Sequence, residues 1–104
     1  MRYSLFAKLT TRPEQRNAVV TLLLRDVEEL RALGCDLYLV NISAAQPDAV
    51  WVTEVWSSKE AHQASLQLPA VKEAIAEAMP LLTGEFEGVE LSVVGGLGLL
   101  VRPS

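Results

Sequence analysis

Hydrophobic residues along this chain follow two periods in turn, and their order predicts the architecture. From Arg2 to Thr10, Tyr3, Leu5, Ala7 and Leu9 alternate with Ser4, Phe6 and Lys8, the period of two expected of a strand. From there to about Leu33 the period changes. Val19, Leu22, Leu23, Val27 and Leu30 recur at three and four residues, while Arg16, Arg25, Glu28, Glu29 and Arg31 cover much of the remainder, as in an amphipathic helix. Thr11 is placed to cap this helix, with Glu14 at the capping-box position, and Pro13 fits a first turn because its missing N–H has no partner there. Gly34 supplies a left-handed stop.

The second strand is expected over Cys35–Ile42, the turn over Ser43–Asp48 and the third strand over Ala49–Trp56. The short connection makes these two strands antiparallel. Ser57 and Glu60 read as a second capping box opening a short helix to about Gln67. Pro69 breaks it and opens a further helix through Met79, with Val71, Ile75 and Met79 in line, and Pro80 ends that. The last strand is expected over Glu85–Val94, closed by Gly95 and Gly96, with Leu97–Ser104 as a tail.

The order strand–helix–strand–strand–helix–strand is the split βαβ, ferredoxin-like α+β pattern, with a four-stranded antiparallel sheet and helices on one face. Yet Val50, Val52 and Trp56 on one face of the third strand are matched by Trp51 and Val55 on the other, and Leu5 and Phe6 make the first strand two-sided as well. Both faces want cover, and one copy has helices for only one. A second subunit on the open face, a homodimer, resolves this.

Composition narrows the picture. The chain has 104 residues, half of them hydrophobic, and reads as one domain over 1–104. A net charge of −4 with nine scattered Lys and Arg excludes a phosphate-neutralising surface, so no nucleic acid is expected. No window reaches the roughly 18–20 apolar residues of a membrane span. The start Met1-Arg2-Tyr3-Ser4-Leu5-Phe6-Ala7-Lys8 is charged too soon for a signal peptide, and a single cysteine, Cys35, fits a reducing cytoplasm. That cysteine is either a reactive thiol or a small buried filler at a strand start.

Few residues carry chemistry. His62, the only histidine, is the first candidate general base; the competing reading is a structurally bonded or exposed histidine. It has no companion for a metal site. Glu54, in period with Val50, Val52 and Trp56, must be bonded, paired or protonated on so apolar a face, and is either a proton acceptor or half of an ion pair. Asn41 shares a face with Leu37 and Leu39, as an oxyanion donor or a strand-end residue. Tyr3, Tyr38, Trp51 and Trp56 are available to line an aromatic pocket, or serve as core and interface. Gly95-Gly96-Leu97-Gly98 lacks the Lys-Ser/Thr and the following helix of a phosphate loop.

The segment Trp51-Val52-Thr53-Glu54-Val55-Trp56-Ser57-Ser58-Lys59-Glu60-Ala61-His62, continuing to Leu68-Pro69-Ala70-Val71, resembles the antibiotic biosynthesis monooxygenase (ABM) family of the dimeric α/β-barrel group. Leu5-Phe6-Ala7-Lys8-Leu9-Thr10 and Val94-Gly95-Gly96 support the likeness. The resemblance implies a ferredoxin-like subunit whose sheet packs on that of a second subunit, and a pocket between sheet and helices. It implies oxygenation of an anthrone, quinol or related aromatic by O2 without flavin or metal, so no cofactor; other members degrade haem. Many relatives carry a histidine at the position of Ser65 and often another at Ala70, so His62 stands one turn before the recurrent histidine. Haem-degrading members resemble a pattern with tryptophan at Ser65 and histidine near Ile75; neither is present, and haem degradation is not expected. Trp56 and Asn41 fall where relatives use an aromatic and an asparagine.

Two functions follow as expectations. One is a cofactor-independent monooxygenase in which Trp56 and Trp51 shape the pocket, Asn41 holds the oxyanion, and His62 or Glu54 takes the proton. The other, which the missing histidine at Ser65 favours, is a dimeric small-ligand-binding or stress-associated domain without turnover.

Overall fold

The computed structural model describes residues 1–98. Four strands, β1 (Tyr3–Thr11), β2 (Cys35–Ser43), β3 (Gln46–Trp56) and β4 (Leu82–Ser92), form one antiparallel sheet in the order β2-β3-β1-β4. Among the described residues three α-helices, α1 (Arg16–Leu24), α2 (Lys59–Ser65) and α3 (Pro69–Ala78), and 3₁₀ segments over Val27–Leu33 and Met79–Leu81, lie in the two crossover connections. This is the ferredoxin-like α+β architecture expected from the periods, with β1 and β3 at the centre.

Strand register decides what meets what. Tyr3, Leu5, Ala7 and Leu9 of β1 face Trp56, Glu54, Val52 and Val50 of β3. Tyr38 and Val40 of β2 continue the row opposite Glu54 and Val52, and Phe86 of β4 pairs with Leu9. Because alternate residues share a face, all of these lie on the helix side. The core forms there, where Val19 of α1 packs on Val50 and Val52, with Val20, Leu23, Tyr38, Val40, Leu81 and Leu82 around them. The opposite face carries Phe6, Leu39, Val89 and Leu91, all between 43% and 49% exposed, so the apolar open face expected from the pattern is present.

Helix boundaries are where local signals misled. The expected box at Thr11 and Glu14 does not form: Thr11 ends β1, is 1% exposed and leaves its hydroxyl without a partner. Pairing of Thr11 with Leu82 across a bulge, and donation by the Arg12 N–H to Leu81 O at 2.9 Å, commit this backbone to the sheet side. Glu14 takes φ 67°, and α1 opens two residues later without a side-chain cap. The helix is also not continuous to Leu33. Arg25 is extended and Asp26 is left-handed at φ 56°, after which the chain resumes as a 3₁₀ helix. No Gly or Pro marks that break. An aspartate tolerates the left-handed region better than most residues, and Arg25 is held outward by its ion pair with Glu77 of α3.

Three smaller corrections follow the same logic. The cap of α2 is Ser58, whose Oγ accepts from the Ala61 N–H at 3.0 Å; Ser57 instead donates its own N–H to Gly34 O at 2.8 Å. The β2–β3 connection is only Ala44-Ala45, because Ser43 pairs with Gln46. Pro47 is accommodated since neither ladder has a rung there. Strand β4 starts at Leu82, not Glu85, and ends at Ser92. Pro69 does open α3, and Gly34 does stop the first crossover, at φ 105°. The tail expected over Leu97–Ser104 lies, from residue 99 onward, outside the described residues. No described helix is long and apolar enough to cross a membrane.

Candidate functional site

Glu54 and Trp56 stand two residues apart on β3, so both side chains point toward the helices, with Tyr38 beside Glu54 and Tyr3 beside Trp56. The Ser58 cap fixes where α2 begins, and His62, whose N–H bonds Ser58 O, comes one turn later against these residues. Its ring lies 5.4 Å from Trp56, edge-on at 67°, and 5.7 Å from Tyr3. The Trp56 Nε1–H donates to Glu54 Oε1 at 2.9 Å. His62 Nε2 is 3.9 Å from the same oxygen, an ion-pair separation too long for a direct hydrogen bond. Its Nδ1 is buried without a partner.

The neighbouring phenols are held in their protonated form. Burial, with the Glu54 charge adding to it, pushes the Tyr38 hydroxyl well above the usual tyrosine range. Tyr3 is pushed up to about 12, first by burial and then by the bond its hydroxyl donates to Glu90 Oε2 at 2.7 Å. Lys59 Nζ lies 3.0 Å from that same oxygen, and the two donors hold the Glu90 carboxyl below its usual range. This cluster ties the start of α2 to β1 and β4. The Cys35 thiol, buried and pushed up by burial to about 11, has the character of a filler rather than a nucleophile.

Glu54, Trp56, Tyr38 and His62 line a cavity of about 670 Å³, whose lining also includes Arg25, Asp26, Glu29 and Glu85. Leu22, Leu23 and Leu30 wall one side, Val71 and Ile75 of α3 the other, and Phe86 the β4 side. A largely apolar enclosure with a few convergent polar groups is the usual form of a small-molecule site.

The structure brings together five of the seven expected site residues: Glu54, Trp56, His62 and Tyr38 line the cavity, and Tyr3 backs His62. Asn41 and Trp51 are not among them. They pair with each other across β2 and β3, an odd number of residues from Tyr38 and Glu54, and therefore sit on the open face. There Asn41 Nδ2 donates to Trp51 O at 3.4 Å, and Lys8 Nζ stands 5.6 Å from the Trp51 ring. Asn41 is not placed to hold an oxyanion in this cavity.

Two features were not foreseen. Ser65 is buried in the cavity wall and turns its Oγ back to His62 O at 2.6 Å. The Tyr3–Glu90–Lys59 cluster joins residues up to 87 positions apart, and no local pattern announces it.

Fold and cavity together define a ferredoxin-like domain with a largely apolar cavity between sheet and helices. The sequence profile of the antibiotic biosynthesis monooxygenases matches residues 2–77, and the chain belongs to that family. A Chloroflexus aurantiacus protein named for the same family is 40% identical, with a TM-score of 0.84 over 95% of this chain and 99% of that one. A Mycobacterium tuberculosis protein at 23% identity (TM-score 0.79, covering 94% and 100%) shares the fold. So does a Nitrosomonas europaea protein at 12% (TM-score 0.83, covering 93% and 94%). Among proteins of curated function, none matches the sequence.

Proposed function

We propose that this chain is an oxygenase that oxidises a quinol, anthrone or similar electron-rich aromatic with O2 in the cavity beneath α2. The observation that carries this reading is the convergence of His62, Glu54 and the Trp56 N–H at one end of an apolar enclosure. His62 or Glu54 removes a proton from the substrate, and the resulting electron-rich anion reduces O2. For an anthrone, the reacting CH2 becomes C=O, one oxygen atom enters the product, and the other leaves with both hydrogens as water. The substrate supplies all four electrons, so the stoichiometry closes without a separate reductant. Trp56 walls the reacting ring, and a ligand filling the apolar part of the cavity would displace water from the reacting carbon.

The same reading makes the chain a single domain that works as a homodimer, with the second copy covering Phe6, Leu39, Val89 and Leu91, in a reducing compartment where Cys35 stays a thiol. Binding without turnover is the second reading, and Ser65 favours it, since its hydroxyl is spent on His62 O. Oxygen uptake by flavin-free, metal-free protein across a panel of anthrones and hydroquinones separates the two. Uptake that disappears in the Trp56→Ala, His62→Ala double variant supports the oxygenase; uptake no greater than that variant's leaves only the binding domain.

A further inference from the structure

We propose that the cavity selects its aromatic ligand by charge, admitting neutral and cationic molecules and refusing anions, with Glu54 as the deciding residue. The inference rests on the reading of this cavity as the substrate site. Asp26 and Glu29 from the first crossover, Glu54 from β3 and Glu85 from β4 all line it. Arg25 is the only Lys or Arg that lines it among the described residues, and its guanidinium is paired with Glu77 of α3. The lining therefore carries an excess of negative charge: Arg25 also feels Asp26, and a protonated His62 would offset only one of the four carboxylates.

Glu54 matters most because it lies deepest. Its side chain is 17% exposed, its one direct donor is the Trp56 N–H, and aromatic rings stand beside it. Burial in such surroundings reduces screening, so a second negative charge nearby is repelled far more than in water. A cationic head is instead attracted both by the carboxylate and by the faces of the rings. The tyrosines already register this field, since the Glu54 charge adds to the upward push on the Tyr38 hydroxyl.

The proposed reaction has the same requirement. When Glu54 takes the substrate's proton, the negative charge passes from carboxylate to substrate and the net charge in the cavity does not change. A substrate that already carries a carboxylate would instead add a further negative charge to those of the lining.

Calorimetric titration with three naphthalene probes of nearly equal size tests this: 2-naphthylmethylamine, 2-naphthalenemethanol and 2-naphthoate. The native protein should bind the amine at least as tightly as the alcohol, and the naphthoate about tenfold or more weakly. In Glu54→Gln, which keeps an acceptor for the indole N–H, the naphthoate should come within about threefold of the alcohol. The rim variant Asp26→Asn, Glu29→Gln, Glu85→Gln should narrow the gap partway, and it carries the test should Glu54→Gln not fold. The proposal is overturned by naphthoate binding as tightly as the alcohol to native protein, by a gap that persists in the variants, or by no binding of amine and alcohol. Oxygen uptake from neutral quinols with no charge order in binding would remove the filter and leave the oxygenase standing. A clear charge order without uptake would support the filter and remove the oxygenase.

Discussion

Trp56 and Glu54 should behave energetically as one unit, and a double-mutant cycle measures this directly. Trp56 is 1% exposed and its indole N–H has one acceptor, Glu54 Oε1 at 2.9 Å. A hydrogen bond to a charged group contributes about 1.5–3 kcal/mol. The 17% exposure of the Glu54 side chain lets water replace part of a lost donor, so about 1.5–2 kcal/mol is expected from the bond removed in Trp56→Phe. Loss of ring volume adds about 1 kcal/mol to that variant. Glu54→Leu strands the buried indole N–H instead, at a cost of about 1–3 kcal/mol. The double variant leaves no orphan, and should be more stable than the sum of the single losses implies by about 1.5–2 kcal/mol. Urea unfolding of the four proteins gives the coupling, provided the m-values agree. Single losses that add to within about 0.5 kcal/mol would refute the bond as an energetic link.

Other consequences can be checked separately. Ser58→Ala should cost about 1 kcal/mol in urea unfolding, by removing the Ala61 N–H acceptor that fixes α2 and with it His62. Tyr3 has a folded pKa raised to about 12 from 10.0, so its contribution to stability is fully present below pH 10 and lost as pH rises through 12. Tyr3→Phe should remove this part of the alkaline fall, which chemical unfolding at a series of pH values reads. On the open sheet face, Phe6→Asp with Leu39→Glu should convert a dimer of twice the 11.3 kDa chain mass to a monomer in sedimentation; a native protein that is monomeric at micromolar concentration would contradict the covered face.

The sequence carried the sheet and its faces further than it carried the helices. Alternation alone put Glu54 with Val50, Val52 and Trp56, because a period of two leaves no freedom about which residues share a face. The same rule puts Trp51 on the face opposite Glu54, so its aromatic character alone made it a pocket candidate, while Asn41 was placed there both by its amide and by the likeness to relatives. Helix starts were less legible: Thr11 and Ser57 have the chemistry of caps, but sheet pairing at Thr11 and the Gly34–Ser57 bond assigned their backbones elsewhere. The break at Arg25-Asp26 carries no Gly or Pro, and the Arg25 pair with Glu77 of α3 beside it is a contact that no local window contains. The Tyr3–Glu90 bond likewise depends on the register between the first and last strands.

Incubation of the metal-stripped, flavin-free protein with an anthrone under ¹⁸O2, followed by mass analysis of the quinone, tests the oxygenase reading most directly. One labelled atom in the new carbonyl, formed at a rate that the Trp56→Ala, His62→Ala variant loses, is the expected result. A product without label, or labelled product formed equally well by that variant, would contradict it.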